Sequence, residues 1–164
     1  MIELIILDVD GCLTDGRIVY TEKGDEIKAF NVKDGLAIKT WLRMGKEVGI
    51  ITGRKSDIVR RRADELGIKH LYQGVKEKGT KITELAAELG IPLENVAAIG
   101  DDLNDYPMLS IVGASFAPAD ASGYITPMVG TVLGRKGGDA VVREMIETIV
   151  KAQGEEDAFL AFWK

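Results

Sequence analysis

One cysteine stands in 164 residues, so no disulfide can close within the chain and no multi-cysteine metal site can form. Such sparing use of cysteine fits a reducing compartment, and a cytoplasmic location is expected. No apolar run approaches the ~20 residues of a membrane span, and the start Met1-Ile2-Glu3-Leu4-Ile5 carries no basic leader. Neither a membrane partner nor an export signal is therefore expected. Basic residues do not form a long run and the net charge is -5, which argues against a nucleic-acid partner, with Arg60-Arg61-Arg62 as a local exception. Neither G-x-x-x-x-G-K-[ST] nor G-x-G-x-x-G occurs, which removes the common nucleotide-binding loops. Internal repeats, low-complexity segments and interdomain linkers are also lacking.

What is present reads as a single domain. The apolar fraction of 46% and charged fraction of 29% are ordinary for a soluble globular chain, and the length suffices to bury about two-thirds of the unfolded surface in one core. Residues 1–153 are expected to form that domain and residues 154–164 a tail. Its organising stretch is Ile5-Ile6-Leu7-Asp8-Val9-Asp10-Gly11. A β-branched and aliphatic run reads as a strand buried on both faces. Side chains alternate along a strand, so Asp8 and Asp10 would project the same way if extended geometry persists to residue 10.

Beyond it, Arg17-Ile18-Val19-Tyr20-Thr21 and Glu26-Ile27-Lys28-Ala29-Phe30 flank the turn residues Glu22-Lys23-Gly24-Asp25. That pattern predicts a β-hairpin over about residues 17–30, needing a surface to pack on. A helix follows, with Asp34 as the expected N-cap and Gly45 as its stop. Strands at residues 47–51, 69–72 and 96–99 then alternate with helices led by Ser56 and Lys78 and ended by Gly67 and Gly90. Residues 113–116 and 130–133 read as edge strands and 139–153 as a last helix. The alternation predicts an α/β fold with a doubly wound, mainly parallel sheet and a hairpin inserted after the first strand. Phe159, Phe162 and Trp163 crowd the polar tail, and docking onto a neighbouring subunit is expected to bury them.

The strand ends share one kind of chemistry: Asp8 and Asp10, then Thr52, then Lys78 just past the third strand, then Asp101 and Asp102. In a parallel sheet these ends converge on one edge. Two unit charges 4 Å apart repel by ~4 kcal/mol at intermediate dielectric, so a cation should sit between the carboxylates, and Mg²⁺ suits such oxygen ligands together with substrate phosphate. Phosphate monoester hydrolysis needs such a set, since its enzymes reach up to ~10²¹-fold acceleration. By chemistry, Asp8 would attack phosphorus to give an aspartyl-phosphate. Asp10 would protonate the leaving alcohol and later accept a proton from water. Mg²⁺ would be held by Asp8, the backbone carbonyl of Asp10 and Asp101. Thr52 would hydrogen-bond a phosphoryl oxygen and Lys78 neutralise its charge.

Asp8-Val9-Asp10-Gly11, Ile51-Thr52-Gly53, Lys78 and Gly100-Asp101-Asp102-Leu103-Asn104-Asp105, in this order, resemble the haloacid dehalogenase superfamily of phosphatases. The resemblance implies that Asp102 and Asp105 support the metal ligands. With only a hairpin after the first motif and almost nothing before the lysine, the chain is similar to capless members. Asp10-Gly11-Cys12-Leu13-Thr14-Asp15-Gly16, Lys28-Ala29-Phe30-Asn31-Val32-Lys33-Asp34-Gly35, Thr52-Gly53-Arg54-Lys55, His70-Leu71-Tyr72-Gln73-Gly74 and Arg135-Lys136-Gly137-Gly138 resemble, more narrowly, the 3-deoxy-D-manno-octulosonate 8-phosphate phosphatases. That likeness implies a phosphorylated sugar-acid substrate contacted by Asn31, Val32, Lys33, Asp34, Gly35, Arg54, Arg62 and Lys78. It also implies a homotetramer with hairpins at its centre, acting in lipopolysaccharide biosynthesis. Lys76-Glu77 stands where Ser-Asn is common, and the tail is unlike the family's usual one.

Arg54, Ile58 and Arg62 at i, i+4 and i+8 would share a helical face, either facing an anionic sugar acid or solvated. Cys12 is expected to pack in the core and His70 to be structural. Lys136-Gly137-Gly138 is either a loop near the ligand or a turn before the last helix. Three other readings stand beside the octulosonate phosphatase: a phosphatase for a nine-carbon sugar-acid phosphate, a non-catalytic oligomerisation module, and a phosphoacceptor receiver domain. Motif order argues against the receiver, which takes its phosphorylated aspartate from the third strand.

Overall fold

The computed structural model describes residues 1–164. Strand β1 (Leu4–Leu7) lies fully buried at its centre. A hairpin of β2 (Val19–Tyr20) and β3 (Glu26–Ile27) leads to helix α1 (Val32–Arg43), strand β4 (Glu47–Ile51), helix α2 (Asp57–Leu66) and strand β5 (His70–Tyr72). Then come α3 (Lys78–Leu89), β6 (Val96–Ile99), the short α4 (Tyr106–Leu109), β7 (Ala114–Ala117), β8 (Thr131–Val132), α5 (Val141–Ala152) and α6 (Glu156–Leu160). Six strands form one parallel sheet in the order β5-β4-β1-β6-β7-β8. This is the expected doubly wound α/β fold. The strand order reverses between β1 and β6, and the crevice at such a switch point is where open α/β sheets hold ligands.

Alternation along β1 sorts its residues between two cores. Ile5 and Leu7 join a 25-residue cluster with α1, α2 and α5. Leu4 and Ile6 join a 12-residue cluster with α3 and α4 on the other face. Covering both faces explains why β1 reads as an unbroken apolar run rather than an alternating one. Leu4 pairs with both Glu47 and Val96 and Leu7 with both Ile50 and Ile99, so three strand ends lie level with the residues that follow Leu7.

Three local expectations change. The hairpin pairs only Val19 with Ile27 and Tyr20 with Glu26, and Ile18, Val19, Tyr20 and Ile27 remain exposed. The ladder is short because Lys28 is drawn to Asp10 and Phe30 to the core, which bends the chain away from its partner. Asn31, not Asp34, caps α1, its side chain accepting from the Lys33 N–H at 2.9 Å. Asp34 instead sits buried in the first turn and accepts from the Arg143 N–H of α5 at 2.9 Å.

The tail, expected on a neighbouring subunit, packs on its own chain. Gly154 takes a left-handed φ of 68° and reverses the backbone into α6. Phe159 thereby reaches the larger core, Arg43 stacks 4.5 Å from the centre of the Phe162 ring, and Trp163 Nε1–H donates to Thr40 Oγ1 at 3.1 Å. No helix is long and apolar enough to cross a membrane.

Candidate active site

Strand geometry ends at Leu7, and Asp8 is the last extended residue (φ -77°, ψ 161°) before the tight turn Val9–Leu13. The backbone therefore turns before residue 10, and extended geometry is not what brings Asp8 and Asp10 together. The bend between them is at Val9, and Gly11 carries the turn onward with a φ of 97° that an L side chain rarely adopts. A second requirement acts on the same residue: a Cβ there would lie 2.8 Å from Asp101 Oδ1 and nearer still to Oδ2. The missing side chain lets the Asp101 carboxylate rest over the turn that carries Asp8 and Asp10. Thr14 closes the turn, its hydroxyl accepting from the N–H groups of Gly11 and Gly16 at 3.4 and 3.2 Å.

Behind the carboxylates lies Lys78, the first residue of α3 and 1% exposed. Its ammonium donates to Asp8 Oδ1 and to Asp105 Oδ1, each at 2.6 Å. Asp105 is fully buried, and its other oxygen accepts from the N–H groups of Asp101 and Asp102 at 2.9 and 3.3 Å. One carboxylate thus fixes both the lysine under β1 and the loop after β6. A buried ion group is tolerated only when its charges are hydrogen-bonded and paired; this one is hydrogen-bonded throughout, but one ammonium serves two carboxylates.

In front of these groups opens a cavity of about 260 Å³, lined by Asp8, Asp10, Thr52, Arg54, Asp101 and Asp102 with Gly16, Gly53 and Asn104. No apolar side chain lines it, as suits a charged ligand rather than a greasy one. Larger hollows elsewhere, such as the one of about 500 Å³ beside α5, lack this convergence of strand ends. Thr52, 2% exposed, is held just past β4 by its N–H donating to Tyr72 and its carbonyl accepting from Val75, both at 3.0 Å.

Burial, then the charge of Asp105, raises the Asp8 carboxyl to about 7 against the pull of Lys78. Burial and the charges of Asp8, Asp105 and Asp102 raise Asp101 to about 8. Burial alone would lower Lys78, but Asp8 and Asp105 outweigh it and leave it above the ordinary lysine value. Asp8 and Asp101 are therefore crowded acids with one ammonium too few, the condition an added cation relieves. Oxygens of both lie within 4.8 Å of each other and of Cys12 Sγ. The Cys12 thiol is held protonated by complete burial and by the same carboxylates, so it is a poor ligand for a hard ion. The donors that remain are oxygens, and they fit Mg²⁺.

Several expected substrate contacts are not brought into the cavity. Asn31 reaches the Gly138 carbonyl at 3.3 Å, Val32 is 80% exposed, and Lys33 borders the hollow beside α5. Gly35 is buried with the Arg62 guanidinium where a Cβ would go, and that guanidinium stands 5.7 Å from the Phe30 ring centre. Arg54 precedes α2, so it does not share a helical face with Ile58 and Arg62. Cys12 is in the core, and His70 bridges to Glu47 at 3.1 Å, away from the cavity. Gly137 and Gly138 pack directly on the turn Val9–Leu13, the Gly138 N–H donating to the Cys12 carbonyl at 3.0 Å.

Two charged residues were missed by sequence reasoning. Lys28 donates to Asp10 Oδ1 at 2.5 Å, and Glu26 accepts from Arg54 at 3.0 Å. Nothing in their spacing marks them, because the hairpin folds them back onto residues 18 and 28 positions away.

A family profile described as haloacid dehalogenase-like hydrolase matches residues 70–145. The 3-deoxy-D-manno-octulosonate 8-phosphate phosphatase of Escherichia coli K12 is 47% identical over 156 residues, covering 95% of this chain and 83% of that protein. The crystal structure of such a phosphatase from Moraxella catarrhalis, in complex with magnesium ion, phosphate ion and KDO, superposes with a TM-score of 0.95 at 41% identity, covering 99% of this chain and 94% of that one. A cobalt-bound Haemophilus influenzae phosphatase superposes with a TM-score of 0.92 at 43% identity, covering 96% and 92%.

Proposed function

Because this chain belongs to the haloacid dehalogenase-like hydrolases, among the 3-deoxy-D-manno-octulosonate 8-phosphate phosphatases, we propose that it hydrolyses that sugar-acid phosphate through an aspartyl-phosphate on Asp8. The observation that carries the reading is Asp8 itself: buried, held from behind by Lys78, and facing Asp101 across Gly11 in an all-polar cavity.

In the first step the Asp8 carboxylate attacks phosphorus while Asp10 gives a proton to the departing sugar oxygen. In the second, Asp10 takes a proton from the water that attacks the phosphoenzyme, and Asp8 is released. Thr52 donates to a phosphoryl oxygen, and Lys78 holds the Asp8 carboxylate in place and offsets charge on the transferred group. Asp8, Asp101 and the carbonyl of Asp10 would hold a Mg²⁺, which would supply positive charge to offset these carboxylates and the phosphate dianion. Asp102 and Asp105 hold the loop that presents Asp101.

Arg54, the cation in the cavity wall, is assigned the sugar-acid carboxylate. Asn31, Val32 and Lys33, at the start of α1, are assigned the part of the sugar acid that extends beyond the cavity, and buried Asp34 and Gly35, with the Arg62 guanidinium packed on Gly35, support that segment. Exposed Ile18, Val19, Tyr20 and Ile27 support assembly through the hairpin into a homotetramer, and one buried free thiol supports a cytoplasmic enzyme. A test is phosphate release from phosphorylated eight- and nine-carbon keto acids with and without Mg²⁺. The octulosonate ester should turn over fastest, only with metal, and Asp8→Asn should abolish it. A faster nine-carbon ester would transfer the reading to that substrate. No release from any of them, with Asp8→Asn indistinguishable from wild type, would leave an oligomerisation module.

A further inference from the structure

We propose that Lys28, carried in by the hairpin, is a positioning residue that fixes which oxygen of Asp10 delivers the proton to the leaving group. The inference rests on Asp10 being the general acid. Lys28 lies one residue past β3, yet its side chain is only 2% exposed, the ammonium meeting Asp10 Oδ1 at 2.5 Å and Glu26 Oε1 at 3.2 Å. The same Glu26 oxygen accepts from Arg54 at 3.0 Å. A chain of charges therefore runs from the acid, through the hairpin, to the cation in the cavity wall.

An ammonium has three donors and no acceptor. Asp10 Oδ1 accepts from it, and an unprotonated oxygen is the stronger acceptor. The contact therefore favours the proton on Oδ2, which takes no hydrogen bond from the protein, on a carboxyl group that lines the cavity. As the Asp8–phosphorus bond forms, the electrons of the breaking P–O bond pass to the leaving oxygen. The Oδ2 proton joins that oxygen and Asp10 is left as a carboxylate. Lys28 exchanges nothing in this step. It stops rotation of the Asp10 carboxyl, a role that in the first step matters only when the leaving oxygen needs a proton.

That restriction makes the test specific. The full-length protein with Mg²⁺ is assayed as wild type, Lys28→Met and Lys28→Arg on p-nitrophenyl, phenyl and benzyl phosphate. The value of kcat/KM reports the first, leaving-group step. General acid catalysis contributes ~10²–10⁴-fold where a proton is needed, and p-nitrophenolate departs without one, whereas a benzyl alkoxide cannot. Lys28→Met should lose at least tenfold more kcat/KM on benzyl than on p-nitrophenyl phosphate, with phenyl phosphate between, and Lys28→Arg should recover most of the difference. Should Lys28→Met fail to fold, Lys28→Gln takes its place and must show the same ordering. An equal loss on all three esters, or no loss, overturns the role of Lys28 and leaves the phosphatase reading intact. A folded wild type that releases no phosphate from any of these esters or from the octulosonate ester overturns both.

Discussion

Gly137→Ala tests whether the turn Val9–Leu13 is braced from outside. A Cβ at residue 137 would sit 2.6 Å from the carbonyl carbon of Gly11, closer to its oxygen, and 2.9 Å from the Thr14 oxygen. All three are backbone atoms of the turn bearing Asp10, and ordinary contacts are ~3.5–4.0 Å, so the two loops must separate. Overpacking of this kind costs about 1–3 kcal/mol. Weakening the Gly138 bond to Cys12 or the Gly137 N–H bond to Asp120 Oδ1 adds about 1 kcal/mol. The sum is about 2–4 kcal/mol, or roughly 5–15 °C in melting temperature for a chain this long. Activity should fall further than stability, because ~1 Å of misplacement can cost ~10²-fold in rate. Differential scanning calorimetry and phosphate release are measured beside Gly123→Ala, where nothing lies within 4 Å of the added methyl. A Gly137→Ala protein that melts and turns over like Gly123→Ala would refute the bracing.

Metal should act through linkage. Asp8 and Asp101 rise to about 7 and about 8 on folding, so between the ordinary carboxylate range and those values the folded state binds more protons than the unfolded. Metal-free stability is then fullest below about pH 4 and declines as pH rises through 7 to 8. Added Mg²⁺ should reverse the decline, its gain in melting temperature growing from pH 6 to pH 8; a gain independent of pH would contradict the site. Asp34, lifted from 3.8 to about 6 by burial against its hydrogen bonds to the Arg143 and Val142 N–H groups, has the same sign. One oxygen of that carboxylate has no partner. The rise of about two pH units corresponds to about 3 kcal/mol, so Asp34→Asn should gain about 1–3 kcal/mol at pH 8 in urea titrations and nothing at pH 4. Trp163→Ala should cost about 1–2 kcal/mol, from the Thr40 hydrogen bond and the Arg43 contact, while leaving the sedimentation coefficient unchanged.

The architecture was legible because each element of the sheet announces itself locally. Leu4–Leu7, Glu47–Ile51 and Val96–Ile99 are apolar runs bounded by polar residues, and Gly67 and Gly90 end α2 and α3 in left-handed conformations as read. Asp8, Asp10, Thr52 and Asp101 were legible because parallel strands must end on one side. What escaped was settled by groups distant in sequence. Asp34 reads as the cap in sequence, but its carboxylate is taken by the Arg143 N–H, 109 positions away, and Asn31 caps α1. Lys28 and Glu26 read as ordinary hairpin residues until the hairpin is folded onto Asp10 and Arg54. The tail aromatics looked like an interface because Arg43 and Thr40, which receive them, belong to α1.

Strand β1 has a temporal consequence. It precedes every other strand of its sheet, yet one of its flanks is β6, whose residues 96–99 follow about ninety positions later. A chain emerging from the ribosome can cover one edge of Leu4–Leu7 with Glu47–Ile51, but must leave the other open until Val96–Ile99 has been made. During that interval an aliphatic edge is available to any other unfinished chain, so slow translation before Val96 is the circumstance in which this protein is most prone to aggregate.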